Sequence, residues 1–243
     1  MTNSGRPGDH LVSVLIAVRD GERFLAAAIE SVLVQTYRPL ELVVVDDGSR
    51  DGSAEIAERF GAPVTVLRQA ALGLGAARNR AVEISAGDLL AFLDADDLFV
   101  SGRLERQVAA LDADRSLEAV VGRIDEFLDP GVADAARAEL RRPREGATAH
   151  LLTAMLIRRS AFERVGPFLP DQPIGVNIEW SARALDAGVR SVEIDAVVLL
   201  RRLHGGNIGV TRWDERQRLV EIVRERLARK RSAEGGPAHG GAV

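Results

Sequence analysis

LELVVVDDGSRDGS, residues 40–53, is the stretch whose reading decides the fold. Its apolar run stops abruptly at Asp46 and Asp47 and passes into a Gly-Ser turn. Residues 88–97, DLLAFLDADD, repeat the plan. Apolar runs of this kind, ending in carboxylates, are how buried parallel strands deliver acids to the carboxyl edge of a sheet, where ligands of open α/β sheets bind. Two acid clusters meeting at that edge would form a site for a divalent cation and the anion it holds.

Working outward, residues 11–18 read as a first buried strand. A helix follows over 22–35, with Phe24, Leu25, Ala28, Ile29, Val32 and Leu33 on one face. Pro39 punctuates before a strand over 41–45, and Asp51-Gly52-Ser53 leads into a short helix ending at Arg59. Strands over 63–67 and 89–93 and helices over 75–85 and 103–111 continue the alternation. That rhythm predicts a parallel sheet with right-handed crossovers. Beyond residue 115 it changes. Strands are expected over 117–127 and 151–157, helices over 160–165 and 179–187, and a last strand pair over 191–203. Residues 129–146 read as a charged connection punctuated by Pro and Gly. Residues 211–231 read as an amphipathic helix with Trp213, Val220, Val223 and Leu227 on one stripe and arginines elsewhere. That helix fits packing, with a membrane or partner surface as the other reading. The Gly- and Ala-rich residues 232–243 read as a disordered tail. The expectation is one α/β domain over 11–204, with a mainly parallel central sheet flanked by helices.

At 243 residues the chain holds one large domain and a substantial core. Its net charge of −4 opposes general nucleic-acid binding. The absence of cysteine excludes disulfides, thiolate catalysis and zinc-thiolate sites. Any metal must therefore take oxygen or imidazole ligands, and carboxylate-rich sites favour Mg²⁺ or Mn²⁺. The N-terminal MTNSGRPGDH lacks the layout of a signal peptide, and the apolar runs fall well short of the ~20 residues of a spanning helix. The expected location is cytoplasmic, without a transmembrane segment and with peripheral membrane association left open.

Asp94-Ala95-Asp96-Asp97 is the sharpest element, because acids two apart just past a strand end can aim at one point. A turn and helix cap is the other reading of the same residues. At Asp46-Asp47 a carboxylate can accept a hydrogen bond from a nucleobase N–H, or the pair is a plain turn. Residues 73–78, GLGAAR, come close to a dinucleotide fingerprint but follow the third strand and lack the later acid. Arg78 could bind phosphate or a base carbonyl, or lie on a helix surface. His204, between a strand and two glycines, could complete a metal site or simply be hydrogen-bonded in a loop.

These residues resemble the inverting family 2 glycosyltransferases with a GT-A fold, which transfer a sugar from a nucleoside diphosphate. The resemblance covers roughly residues 11–204. It rests on VSVLIAVRDGERFLAAAIESVLVQTYRPLELVVVDDGSRDGS, GLGAARNRAVEISAGDLLAFLDADD, LIRRSAFERVGPF and RRLHGGN. It implies that Ala17, Arg19, Asp20, Asp46 and Asp47 hold the nucleotide, with Arg78 near the base or diphosphate. Asp94 and Asp96 correspond to the D-x-D acids, with Ala95 between them against the donor, and Asp96 is the expected direct metal ligand. His204 would help hold the metal or diphosphate. Many members carry a Glu-Asp pair where this chain reads Val176-Asn177, and Glu179 is the nearest acid and hence the candidate base. As a plain helical residue, Glu179 would complement the helix dipole.

The implied partners are a nucleotide-sugar donor, with a UDP-sugar favoured, and an acceptor that is a saccharide, lipid carrier, peptide or small metabolite. The rival reading is a catalytically impaired sugar-nucleotide-binding protein that acts through a partner. An NAD-dependent oxidoreductase would need its fingerprint after the first strand. A sugar nucleotidyltransferase would need a Gly-rich basic loop where this chain has VRDGERFL.

Overall fold

A computed structural model describes residues 10–132, 152–170, 172 and 175–206. In its first half the apolar runs become strands β1 (Val12–Val18), β2 (Leu40–Asp47), β3 (Val64–Gln69) and β4 (Leu89–Asp94). Helices α1 (Leu25–Leu33), α2 (Ser53–Glu58) and α3 (Leu74–Ile84) connect them. β1 pairs in parallel with β2 and β4, and β2 with β3. Register places Ala17 beside Val45 and Asp94, and Val18 beside Asp46. The acid-bearing ends of three strands therefore share one edge, as the alternating pattern predicts.

The second half is built differently. β5 (Leu98–Phe99), α4 (Arg103–Ala113) and β6 (Ala119–Leu128) are followed by a 3₁₀ turn at Leu152–Ala154. Then come β7 (Met155–Arg158), α5 (Arg159–Val165), α6 (Val176–Asp186) and β8 (Ser191–Leu203). The strand order is β3-β2-β1-β4-β7-β6-β8-β5. β7 runs antiparallel to both β4 and β6, β5 is antiparallel to β8, and β6 is parallel to β8. The sheet is thus mixed: the expected parallel pairing holds for β1 to β4 and recurs between β6 and β8, while β5 and β7 run antiparallel to their neighbours.

Two further expectations are corrected. Residues 191–203 form one strand, not a pair, and its register against β6 shifts on either side of Arg123. The neighbouring Gly122 explains why: a Cβ there would meet Val198 Cγ1 at 2.3 Å, so only glycine lets the bulged strands approach this closely. Strand β7 begins at Met155, because residues 152–154 wind into the 3₁₀ turn. The two-residue strand β5 had no counterpart in the sequence reading. Of the 129–146 connection only residues 129–132 are described, and the expected helix over 211–231 and tail over 232–243 lie outside the described residues.

Packing, not capping, holds the helices. None of α1 to α6 has a side-chain hydrogen bond at its N-cap, and glycine occupies that position in α2, α3, α4 and α6. A missing side-chain cap forgoes about 1 kcal/mol at a poor N-cap residue and only about a few tenths at glycine. Each fully buried aliphatic or aromatic side chain contributes about 1.5–3 kcal/mol. Val14, Ile16, Val44, Leu90 and Phe92 on the central strands are 0% exposed. Under the second half, Trp180 stacks on Phe162 at 5.1 Å and meets Phe168 at 5.9 Å, while Phe92 meets Phe168 edge-on at 5.4 Å. The indole N–H donates to the Gly166 carbonyl at 2.9 Å, so this large ring is buried without an orphaned donor.

Candidate active site

A cleft of about 950 Å³ opens at the shared strand edge, within the size range of small-molecule sites. One wall comes from the ends of β1, β2 and β4, and contributes Ala17, Arg19, Asp20, Asp47, Asp94, Ala95 and Asp96. Facing it are Thr153, Pro170, Gln172 and the start of α6, Val176 to Ile178. His204 and Arg201 close the cleft from the end of β8.

The loops after β1 and β2 are joined by main chain meeting side chain. Asp20 N–H donates to Ser49 Oγ at 3.0 Å, and Arg50 N–H to Asp20 Oδ1 at 2.7 Å. Gly21 N–H donates to Ser53 Oγ at 2.9 Å, Glu22 N–H to Asp51 Oδ2 at 3.0 Å, and Gly52 N–H to Glu22 Oε2 at 2.8 Å. Asp20 sits at φ 52°, a left-handed conformation that aspartate tolerates when its side chain bonds locally. For Asp51, desolvation pushes the carboxyl up. Hydrogen bonds from the Ser53 side chain and from main-chain N–H groups outweigh it and hold the group below its ordinary value.

Asp47 is buried and accepts three hydrogen bonds at 2.8 Å, from Gln69 Nε2 and from the N–H groups of Leu72 and Gly73. It ties the loop before α3 to the edge of β2. Asp46 is equally buried but does not line the cleft; its Oδ2 accepts from Ser49 N–H at 3.2 Å and its Oδ1 has no partner. The adjacent acids project to opposite faces, as strand neighbours must.

Arg78 is not a surface residue. Its guanidinium is 2% exposed, donating from Nη2 to Asp94 Oδ1 at 2.5 Å and from Nη1 to Asn177 Oδ1. It lies over the Phe168 ring at 5.6 Å. Arg78 reaches the cleft through these two neighbours, without lining it.

The acid turn is clamped from the far end of the sheet. Arg202 N–H donates to Asp97 Oδ1 at 2.9 Å, and Arg202 Nε to the Asp96 carbonyl at 3.0 Å. Burial, and then the charges of Asp96 and Asp94, push the Asp97 carboxyl well above its ordinary range. His204 Nε2 lies 3.0 Å from Asp96 Oδ2, while its Nδ1 accepts from Gly206 N–H at 3.1 Å. The ring proton of neutral His204 therefore sits on Nε2, facing Asp96. Among the described residues no three His, Cys, Asp or Glu side chains gather as a metal cage. Asp96 is the side chain that would fit a hard cation taking its remaining ligands from a bound phosphate and water, and His204 holds that carboxylate in place through Nε2–H.

Glu179, the candidate base, lies outside the cleft lining, and both of its oxygens are taken by Arg183, at 2.7 Å to Nε and 3.0 Å to Nη2. Arg183 in turn donates to the carbonyls of Val165 and Pro167, so the pair fastens α6 to the end of α5. Asn177, two residues earlier, is what α6 turns toward the cleft.

Several working residues escaped the sequence reading. Asp129, buried at the end of β6, accepts from Arg202 Nη1 at 3.3 Å and from Arg23. Phe24 lies beneath both guanidinium groups, at 4.8 Å from Arg23 and 4.9 Å from Arg202, and 4.6 Å from the His204 ring. No local pattern announces such partners. For Arg202 the one available signal was its place as the second residue of RRLHGGN.

A mixed α/β sheet with acids at its strand ends over a cleft is the ligand-binding arrangement of open α/β folds. Comparison with known proteins makes this specific: residues 13–166 match the sequence model of glycosyl transferase family 2, and the chain belongs to that family. It is 31% identical over 190 residues to glycosyltransferase AglE of Haloferax volcanii, covering 73% of this chain and 62% of that protein. It is also 36% identical over 105 residues to the UDP-Glc:alpha-D-GlcNAc-diphosphoundecaprenol beta-1,3-glucosyltransferase WfgD of Escherichia coli, covering 42% of each. The chain thus spans less than two thirds of the length of either relative. Among solved structures, S. aureus TarS 1-349 in complex with UDP-GlcNAc superposes with a TM-score of 0.67 at 18% identity, over 87% of this chain and 66% of that one. The fold is the GT-A type expected.

Proposed function

We propose that this chain transfers a glycosyl group from a nucleoside-diphosphate sugar, with UDP as the favoured carrier, to an acceptor hydroxyl with inversion at the anomeric carbon. The observation that carries the reading is the meeting of Asp47 and the Asp94–Asp96 turn, from separate strands, on one wall of a cleft of about 950 Å³. The UDP-GlcNAc complex of TarS and the UDP-Glc donor in the name of WfgD support the choice of uridine. The donor lies along the sheet edge, bounded by the joined loops after β1 and β2, with Arg19 and Arg201 placed for the diphosphate charge. In a single displacement the acceptor oxygen bonds to the anomeric carbon as the bond to the diphosphate breaks. The hydroxyl proton passes to a carboxylate of the cleft. Mn²⁺ or Mg²⁺, held by Asp96 with His204 beside it, would supply positive charge to the departing diphosphate. Arg78 keeps Asp94 oriented, and Arg202 fixes the main chain of the acid turn.

A second reading, a sugar-nucleotide-binding protein that does not transfer, draws support from α6: Asn177 faces the cleft where an acid would serve as base, and Glu179 is committed to Arg183. Donor consumption separates the two.

The test is a thermal-shift panel of UDP, GDP, dTDP and CDP, each with and without Mn²⁺ or Mg²⁺, on the wild type and Asp96→Asn. A ligand at about a hundred times its Kd adds about 2.7 kcal/mol, a rise of several degrees. Stabilisation by UDP that requires the cation and is lost in Asp96→Asn is the expected result. No response to any nucleotide would make both acid clusters structural turns and end the transferase reading.

A further inference from the structure

The wall formed by α6 turns a carboxamide, not a carboxylate, toward the cation-binding acids, and that amide meets the same guanidinium as Asp94 does. Arg78 is 2% exposed, so each of its N–H groups needs an acceptor on the spot. Nη2 has Asp94 Oδ1 at 2.5 Å and Nη1 has Asn177 Oδ1. The charges in this trio sum to zero: one guanidinium, one carboxylate, one neutral amide. Asp94 is 37% exposed, so its second oxygen can turn to the cleft, yet its charge is answered by a partner that water cannot reach.

We propose that Asn177 is a positioning residue that keeps Arg78 committed to Asp94, and that this neutral amide sets how strongly the acid turn holds a divalent cation. The proposal rests on the cation reading above and deepens it. Asn177 satisfies Nη1 without competing for charge. A carboxylate at 177 would share the guanidinium, weaken its hold on Asp94 and free that acid to join Asp96 at the cation. The cleft is then tuned for loose, exchangeable cation binding that tightens when a diphosphate supplies the missing ligands.

Mn²⁺ binding, followed by electron paramagnetic resonance in the presence and absence of UDP, tests this on four proteins: wild type, Asn177→Asp, Asp94→Asn and the double variant. Asn177→Asp should bind Mn²⁺ about five- to tenfold more tightly than wild type, and the gain should vanish when the same change is made on Asp94→Asn. A gain of the same size in the Asp94→Asn background would mean that the new charge acts on the cation directly, and the proposal fails. Unchanged or weaker binding in Asn177→Asp overturns it too, with a melting curve for each variant showing that the protein is folded. A wild type that binds UDP but takes up no Mn²⁺ under any condition sinks the cation reading itself, and this proposal with it.

Discussion

Asp47, on the sheet-edge wall, accepts from one side chain and two main-chain N–H groups, whereas Asn177, on the helical wall, bonds a single side chain, Arg78. The contrast extends to everything around them. The sheet-edge wall is charged and fixed by backbone hydrogen bonds that the strand register dictates. The helical wall presents neutral side chains and is held in place from behind, by the aromatic cluster of Phe92, Phe162, Phe168 and Trp180. One wall of a cleft can thus be kept rigid through local polar bonding, while the facing wall varies its side chains as long as its apolar back remains packed.

The sharpest way to break this contrast is to remove the packing. Trp180→Ala should cost about 4 kcal/mol and lower Tm by roughly ten degrees. It should loosen the helical wall first, so that hydrogen exchange rises in α6 well before β1 and β2. Exchange rising equally in both halves would show that the two walls are one cooperative unit.

A smaller effect is expected at Asp97 on the charged wall. Its folded pKa is raised above the ordinary 3.8, so between those two values the folded state holds more protons than the unfolded one. Stability from this group therefore falls as pH rises through that window. Asp97→Asn keeps an acceptor for Arg202 N–H and removes the charge. It should be more stable than wild type by roughly 1 kcal/mol at pH 7, with the gap closing as pH drops below the window. Urea denaturation of both proteins across pH reads this directly, and a gap independent of pH would refute it.

The smallest change sharpens the account of the helical wall. Glu179→Gln should cost less than about 1 kcal/mol, as a partly exposed helical ion pair, and leave donor consumption within about twofold. A loss of a hundredfold or more, the scale of a missing general base, would restore Glu179 to the chemistry and imply that α6 turns when acceptor binds.

How much of this could be read in the residues follows the same division. The donor half was legible because β2 and β4 each run apolar into aspartate, and burial between helices leaves few other ways to place such a segment. The parallel direction of β1 to β4 followed from helices of crossover length between them. Direction was not legible for β7, since Met155–Arg158 would look the same running either way. β5 was missed because two residues, Leu98 and Phe99, carry no period. Asp94, Ala95, Asp96 and His204 come together at the cleft, but the bonds behind them span long intervals: Arg202 reaches Asp97 across 105 residues and Asp129 across 73, and Asn177 meets Arg78 across 99. Residue type alone does not encode such meetings. Glu179 lies off the cleft because two residues along a helix turn it about 200° around the axis from Asn177.

Those sequence separations also order the assembly of the site in time. The bonds joining the loops after β1 and β2 close intervals of 29 to 32 residues, but the Arg202 clamp on the acid turn closes 105 to 106. Closing the longer loop costs about 1 kcal/mol more in chain entropy, and it must await β8, the last strand to be synthesised among the described residues. A nascent chain thus completes the joined loops after β1 and β2 long before its acid turn is locked, and the finished cleft appears only when the far end of the sheet arrives.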